Sequence, residues 1–285
     1  MSERLQKVLA QIGLGSRREI ERWIEQGRVS VDGKVAQLGV KVDGQQTVRV
    51  DGKPVNLQNS KVDCRVILYN KPEGELCASP DSTDKATIFD NLPRLQKGRW
   101  IMVGRLDVNT NGALLLTNDG ELAHRLMHPS YEIEREYAVR VFGEVTDEAL
   151  KNLSEGVLLD DGMASFSNMR DLGGEGINHW YSVKLGEGRN REVKRMWESQ
   201  GLQVSRLVRT RYGCVELPRG LRRGSWISLE QSEINQLRKL VGLKPIAAVW
   251  NRKVDERRKL NQKELQRGRI RNQAARVRRA QKKQR

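Results

Sequence analysis

The sequence contains few of the residues that build metal centres and disulfide frameworks. It has three cysteines and three histidines in 285 residues. Cys64, Cys77 and Cys214 are far apart and match no metal-ligand or redox spacing, and the histidines do not complete one. A sparse, odd number of cysteines is typical of reduced thiols in a cytosol. We therefore predict a cytoplasmic protein with no disulfide framework and no metal site.

Long apolar runs are also absent. Apolar residues make up 37% of the chain, and no run approaches the roughly 20 residues that cross a membrane. Glu3, Arg4 and Lys7 are charged where a signal segment would be apolar. The sequence has no phosphate-binding loop and no dinucleotide fingerprint. These absences predict a soluble protein with no membrane partner and no cofactor.

Positive charge is concentrated at the C-terminal end. Residues 251–285 hold 15 basic and three acidic side chains, whereas residues 61–250 hold 27 and 26, so most of the net charge of +16 lies in the last 35 residues. The few large apolar residues there do not form a membrane-binding face. We predict a basic, disordered tail over residues 246–285 that binds nucleic acid. A purely solubilising tail is the alternative.

Residues 1–60 show the pattern of a small helical module followed by a hairpin. Apolar residues recur at i, i+3, i+4 and i+7 over residues 5–12, and Ser16-Arg17-Arg18-Glu19 is a capping box that opens a second helix. The Asp-Gly pairs that follow predict hairpin turns. Arg17 and Arg18 stand in the first helical turn, where the helix dipole disfavours cations. Either a phosphate binds them or the turn is simply solvated.

The central part, residues 61–245, predicts an α+β body. Short apolar runs with helical segments scattered between them, without strict alternation, favour a mixed, largely antiparallel sheet with peripheral helices. The strands are predicted near residues 66–69, 100–103, 113–116, 134–145, 180–185, 204–211 and 226–229. In the strand at 134–145, Tyr137, Val139 and Val141 share one face. The strand at 204–211 is predicted to have one apolar side and one basic side, which carries Arg206, Arg209 and Arg211. Helices are predicted at residues 120–127, at 147–153, after a cap at Asn190, and around residues 234–240, where Ile234, Leu237 and Leu240 are expected to face inward.

One acidic residue lies in a loop between two of these strands. Asp107 belongs to the polar, glycine-bounded loop of residues 104–112. Loops held on rigid strands often carry catalytic groups, although Asp, Asn and Gly are also ordinary turn residues. Its spacing to the two following asparagines matches the start of a calcium loop. That loop needs flanking helices and a glutamate at its twelfth position, where Asn118 stands, so calcium is the weaker hypothesis.

Several segments, taken together, resemble the pseudouridine synthases, in the branch that acts on bacterial ribosomal RNA. Each is a weak signal alone, but they occur in the family's order and extend over residues 1 to about 245. The N-terminal module resembles the S4 RNA-binding domain. The other segments are Asn70-Lys71-Pro72-Glu73-Gly74, Gly104-Arg105-Leu106-Asp107, Arg135-Glu136-Tyr137-Ala138-Val139, Glu187-Gly188-Arg189-Asn190-Arg191-Glu192-Val193-Lys194-Arg195-Met196 and Ser205-Arg206-Leu207-Val208-Arg209.

The resemblance implies a reaction and residues to carry it. Such an enzyme detaches the uracil of a flipped-out uridine, rotates it and rejoins it through C5, without a metal or cofactor. It implies Asp107 as nucleophile or base, Lys194 as its partner, and Tyr137 stacked under the base. Arg105 would fill the gap that the base leaves. The RNA contacts expected from the resemblance or from charge are Arg17, Arg18, Lys71, Arg105, Arg189, Arg191, Arg206 and Arg209.

Two other classes of protein fit parts of the sequence. A non-catalytic RNA-binding or ribosome-assembly factor would need only the S4-like module and the tail. A methyltransferase would need a glycine-rich cofactor loop after a strand, for which residues 173–176 are a poor match. Lys71 is equally compatible with a solvated strand end. We expect a monomer that acts on ribosomal RNA, and the resemblance is strongest to enzymes that act on the RNA of the large subunit. The substrate is either free RNA or a ribosomal particle.

Overall fold

The N-terminal part has the two helices and the hairpins that the sequence predicts. The protein is described by a computed structural model over residues 2–57, 63–78, 83, 85–95 and 97–247. Apart from its first two residues, the predicted basic tail lies outside these ranges. The elements of the N-terminal part are β1 (Glu3–Arg4), α1 (Leu5–Gln11), α2 (Arg17–Glu25), β2 (Val29–Val31), β3 (Lys34–Val35), β4 (Lys41–Val42), β5 (Val48–Val50) and β6 (Lys53–Val55).

Local sequence signals account for these elements. The side chain of Ser16 accepts from the Glu19 N–H, and the Glu19 carboxylate accepts from the Ser16 N–H, both at 3.1 Å, which completes the capping box. Asp32 and Gly33 both adopt positive φ, as a two-residue hairpin turn requires. Strands β3, β2, β5 and β6 form an antiparallel sheet in that order. The helices bury Leu5, Leu9, Ile20 and Ile24 against it.

The body has a nine-stranded sheet flanked by helices. Its elements are β7 (Val66–Lys71), β8 (Ile101–Val103), β9 (Asn111–Thr117), α3 (Gly120–Met127), β10 (Arg135–Phe142), α4 (Asp147–Glu155), β11 (Val157–Leu159), β12 (Gly162–Ala164), β13 (Asn168–Glu175), β14 (Asn178–Leu185), α5 (Glu192–Glu198), β15 (Gln203–Tyr212), β16 (Val215–Glu216), β17 (Trp226–Ser228) and α6 (Gln231–Leu240). Strands β11 and β12 form a separate hairpin. The α+β prediction is therefore confirmed.

Two antiparallel halves of this sheet meet at one parallel pair. The strand order is β13-β14-β10-β15-β9-β7-β17, with β8 on β9 and β16 on β15. Strands β15 and β9 run parallel, with Val208 beside Asn111 and Arg209 beside Gly112. A Cβ at Gly112, whose φ is +106°, would overlap the Arg209 backbone. Position 112 therefore requires glycine if the two halves are to approach this closely.

The sheet has a core on each side. One cluster packs residues of β7, β9, β10, β14 and β15 against α4 and α5, and it includes the fully buried Trp197. The other packs β7, β8 and β9 against α3 and α6. Ile234 and Leu237 of α6 are buried as predicted, but Leu240 is 47% exposed, so that part of the prediction is wrong. No helix in the described ranges is long and apolar enough to span a membrane.

The glycine-rich segment considered for a methyltransferase does not form a cofactor loop. Residues 173–175 end β13, and the chain turns at Gly176 directly into β14. A phosphate-binding loop instead leads from a strand into a helix N-terminus, where free N–H groups meet the ligand. This hairpin offers no such helix.

Candidate active site

Asp107 lies in the loop between β8 and β9, where the parallel pair of the sheet begins. The Thr110 N–H donates to the Asp107 carbonyl at 3.0 Å and closes a turn, and the Leu106 N–H donates to Cys77 Sγ at 3.4 Å. The Asp107 side chain is 36% exposed. Strands flank the loop on both sides, whereas a calcium loop of this pattern needs helices. The structure therefore argues against the calcium hypothesis.

Lys71 holds this loop from beneath. Its ammonium group lies within hydrogen-bonding distance, 2.9–3.3 Å, of four carbonyl oxygens, those of Pro72, Asp107, Val108 and Thr110. The side chain is fully buried, and this burial lowers the pKa of Lys71. The prediction that Lys71 contacts an RNA phosphate is wrong, and so is the solvated alternative. Its positive charge is directed into the protein, at the oxygen atoms of the loop.

Lys194 faces the Asp107 carboxylate. Its Nζ lies 3.7 Å from Asp107 Oδ2, and the Lys194 side chain is 10% exposed. Helix α5 positions it, because Val193, Met196 and Trp197 anchor the helix in the core. Arg191, with φ of 50°, stands at the N-cap of this helix, so the prediction that Asn190 caps it is wrong.

Tyr137 lies on the inward side of β10. The burial of β10 alternates, and Tyr137 and Val139 face the core, as predicted. Tyr137 is opposite Arg209 of β15 and is 8% exposed. Arg209 is 2% exposed, and its Nε donates to the Ala113 carbonyl at 2.7 Å. Its Nη2 has no hydrogen-bond partner among the described residues.

These groups line one cavity of about 960 Å³. Two carboxylates contribute to its wall, those of Asp107 and Glu192. Glu192 is 4% exposed and accepts from Arg189, and its burial raises the pKa of Glu192. Asp107 is thus the more exposed acid in a strongly cationic cavity. The cations in the wall are Arg105, Arg135, Arg189, Arg191, Lys194 and Arg209.

The other predicted RNA contacts differ in their surroundings. Arg105 is exposed at the cavity rim. Arg189 binds the carboxylates of Asp161, Glu187 and Glu192 and so braces the cavity wall. Arg191 pairs with Glu198 at 3.0 Å. Arg17 and Arg18 are exposed on α2, outside the cavity lining.

Arg206 and Arg209 do not share one basic side of β15, which corrects the prediction. Successive residues of a strand alternate between faces, so residues three apart point in opposite directions. Arg209 is opposite Tyr137 and lines the cavity, whereas Arg206 is opposite Arg140 and is exposed. The cavity therefore takes one of these two arginines.

Arg135 is a cavity residue whose role the sequence reasoning missed. Its guanidinium donates to the Gly186 carbonyl at 3.0 Å and to the Tyr212 hydroxyl at 3.2 Å. The guanidinium groups of Arg135 and Arg209 each lie over the Tyr212 ring, 5.1 Å from its centroid. The sequence does carry a signal for it: Arg135 is two residues before Tyr137, so both side chains lie on the inward face of β10. A charged residue at an inward strand position needs partners of this kind.

The fold and the cavity are those of an RNA pseudouridine synthase, and the chain belongs to this family. A family model described as RNA pseudouridylate synthase matches residues 65–199, and an S4 domain model matches residues 3–48. Both matches agree with the resemblance carried by the sequence motifs.

Curated relatives and a solved structure agree with this assignment. The chain is 60% identical over 248 residues to the ribosomal large subunit pseudouridine synthase B of Shigella flexneri, which covers 86% of each chain. It is 59% identical over 244 residues to the protein of that name from Haemophilus influenzae, covering 85% of this chain and 68% of that one. A crystal structure of pseudouridylate synthase matches with a TM-score of 0.57 and 28% identity, covering 82% of this chain and 99% of that chain.

Proposed function

We propose that this synthase isomerises a uridine in the RNA of the large ribosomal subunit, with Asp107 as the catalytic carboxylate. The relatives that align over most of the chain are named for that subunit. The observation that supports the catalytic assignment is the 3.7 Å approach of Lys194 Nζ to Asp107 Oδ2 in a cationic cavity. We propose that the enzyme acts as a monomer in the cytoplasm.

The reaction needs an anion beside the ribose. It breaks the bond from C1′ to N1, forms a bond from C1′ to C5, and transfers a proton from C5 to N1, so the atoms balance without an oxidant. A carboxylate can attack C1′ or remove a sugar proton, and we assign one of these two roles to Asp107. Its backbone is fixed by Lys71, which reduces the reorganisation needed to align the carboxylate.

Lys194 keeps this carboxylate ionised when RNA covers the cavity. Removing water from a carboxylate favours its neutral form, and a nearby positive charge favours the charged form. Lys194 is held on a buried helix face, so it stays beside Asp107 without help from the substrate. The pair therefore retains a reactive carboxylate after the nucleotide has displaced solvent.

Tyr137 and Arg105 handle the flipped nucleotide. A base inside a stem cannot reach Asp107, so the uridine must leave its stack. Tyr137 offers it an aromatic face, and such stacking returns ~1–3 kcal/mol per base. Arg105, exposed at the rim, occupies the vacated space in the RNA. Arg209, with its unpartnered Nη2, and Arg191 contact the nucleotide and its neighbours.

Three parts of the chain divide the work. Residues 1–60 position the RNA through Arg17 and Arg18, since phosphate contacts fix register rather than sequence. Residues 61–245 carry the chemistry. Residues 246–285 add a non-specific electrostatic attraction that weakens with salt.

A tritium-release assay tests the proposal. Large-subunit ribosomal RNA labelled at uridine C5, prepared from a strain that lacks this enzyme, is incubated with the purified full chain. We expect tritium release, and chemical mapping should find one new pseudouridine in that RNA. Small-subunit RNA is the matched control. RNA binding without tritium release from either RNA would identify a non-catalytic assembly factor.

A further inference from the structure

Within the described ranges, part of the body sheet is covered by a core cluster on one side only. On the side of α3 and α6, the core cluster includes residues of β7, β8 and β9 but none of β10, β13 or β14. We call the uncovered area the back face and define it by Arg140, Phe142, Arg170, Trp180 and Arg206.

Strand register places these residues on one face. Arg140 is opposite Trp180 on one side and Arg206 on the other. Residues opposite each other across strands point to the same side of a sheet. Their chain neighbours Val139, Tyr181 and Leu207 are buried in the cluster on the cavity side. The back face therefore points away from the cavity.

The back face carries uncompensated positive charge. Arg140 and Arg206 are direct cross-strand neighbours, an arrangement that costs stability because like charges repel. Neither they nor Arg170 forms an ion pair with any residue in the described ranges. Arg211 of the same sheet, in contrast, binds Glu134 and Glu136. A repulsive pair that has no ion-pair partner among the described residues suits a ligand that brings negative charge.

Apolar side chains lie among these arginines. Phe142 is 45% exposed, and Trp180 is half-buried. Single-stranded RNA suits this mixture, because its bases stack on aromatic rings and its phosphates bind arginine.

We propose that the back face binds a second segment of the RNA substrate, remote from the target uridine. Phosphates bind Arg140, Arg170 and Arg206, and a base stacks on Trp180. The proposal rests on the proposed function only in taking a large RNA as substrate. It explains why Arg206 is basic although it lies outside the cavity.

The test measures how wild type and the variant Arg170→Gln/Arg206→Gln each bind a long and a short RNA. The variant keeps the hydrogen bond from Arg140 to Ser205. The probes are a full-length large-subunit RNA transcript and a short hairpin with a uridine in its loop. For the transcript, we expect Kd to rise about tenfold near 0.1 M salt. The slope of log K against log salt should flatten by about 1.4–1.8, the counterion term of two phosphate contacts. Hairpin binding and its single-turnover rate should not change.

Two further variants sharpen the result. Trp180→Ala should weaken transcript binding while leaving the salt slope unchanged, because stacking releases no counterions. Lys151→Gln/Lys239→Gln removes two exposed lysines on α4 and α6 and should leave transcript binding within about twofold of wild type. The melting temperature of Arg170→Gln/Arg206→Gln should equal or exceed that of wild type, because a like-charge pair is relieved.

Three outcomes would overturn the proposal. An unchanged salt slope for the transcript means that no phosphate binds these arginines. Equal losses on the hairpin and the transcript mean that the substitutions act on the cavity. A loss confined to ribosomal particles, with protein-free transcript bound normally, means that the partner is a protein. All three are binding measurements, so they stand apart from any failure of catalysis by Asp107.

Discussion

Lys71 and Lys194 are two buried lysines that approach the same loop and serve it differently. Lys71, on β7, binds four main-chain carbonyls, including that of Asp107. Lys194, on α5, faces the Asp107 side chain. Lys71 thus determines where the backbone of the loop lies, and we propose that Lys194 maintains the charge of the carboxylate. The difference teaches that the acceptors around a buried lysine, rather than its burial, indicate its role.

The largest expected effect comes from Asp107→Asn, which separates the two lysines. It removes the negative charge beside Lys194 but keeps the carbonyl that binds Lys71. The single-turnover rate at saturating RNA should fall by about 10,000-fold, because the amide is neither nucleophile nor base. The free energy of unfolding should change by less than about 1 kcal/mol, since the side chain is partly exposed. Tritium release and chemical denaturation measure the two quantities. An active Asp107→Asn enzyme would refute the catalytic assignment.

Lys194→Met should have the next largest effect, and it should depend on pH. Methionine keeps much of the apolar stem and removes the charge. With RNA bound, the Asp107 carboxylate then lacks its counter-ion, so the single-turnover rate should fall by about 100-fold near pH 7. The rate should recover partly at higher pH, where a desolvated carboxyl ionises again. Lys151→Met, which changes an exposed lysine on α4, is the control. A wild-type pH profile at saturating RNA would contradict the ion pair.

Lys71→Met should act on stability first. The substitution leaves the Pro72 and Thr110 carbonyls without their donor in a buried site, and each such group costs about 1–3 kcal/mol. The free energy of unfolding should therefore fall by roughly 2–4 kcal/mol. Activity should fall too, because the loop loses its support. If instead stability stayed normal and only RNA affinity fell, Lys71 would contact phosphate after all.

The smallest effect is a pH dependence of that stability difference. Burial lowers the pKa of Lys71 from its ordinary value near 10.5. Between the lowered pKa and 10.5, the unfolded chain binds more protons at this site than the folded chain does. The free energy of unfolding of wild type, measured relative to Lys71→Met, should therefore rise with pH through this alkaline window. A constant or falling difference would show that folding does not depress the protonation of Lys71.

The sequence predicts the features that depend on short-range patterns. The capping box at Ser16, the hairpin turns and the alternation around Tyr137 are local, and the structure confirms them. The lone acid at Asp107 was found because its flanking strands are apolar. Lys71 was misjudged because its burial depends on a loop more than 35 residues away. The prediction that Arg206 and Arg209 share one side of the strand was avoidable from the sequence, because residues three apart in a strand point to opposite faces.

The close approach at Gly112 means that the proposed active site is formed by residues from both antiparallel halves of the sheet. Asp107 precedes β9 on one half, while Tyr137 and Arg209 belong to the other. The main-chain register between β9 and β15 sets the distance between Asp107 and these two residues. A substitution within either half of the sheet can be accommodated locally, but a slip of this register would move Asp107 relative to both Tyr137 and Arg209. We propose that the precision of the active site depends on this main-chain pairing, because Arg209 of β15 stands directly beside Gly112 of β9.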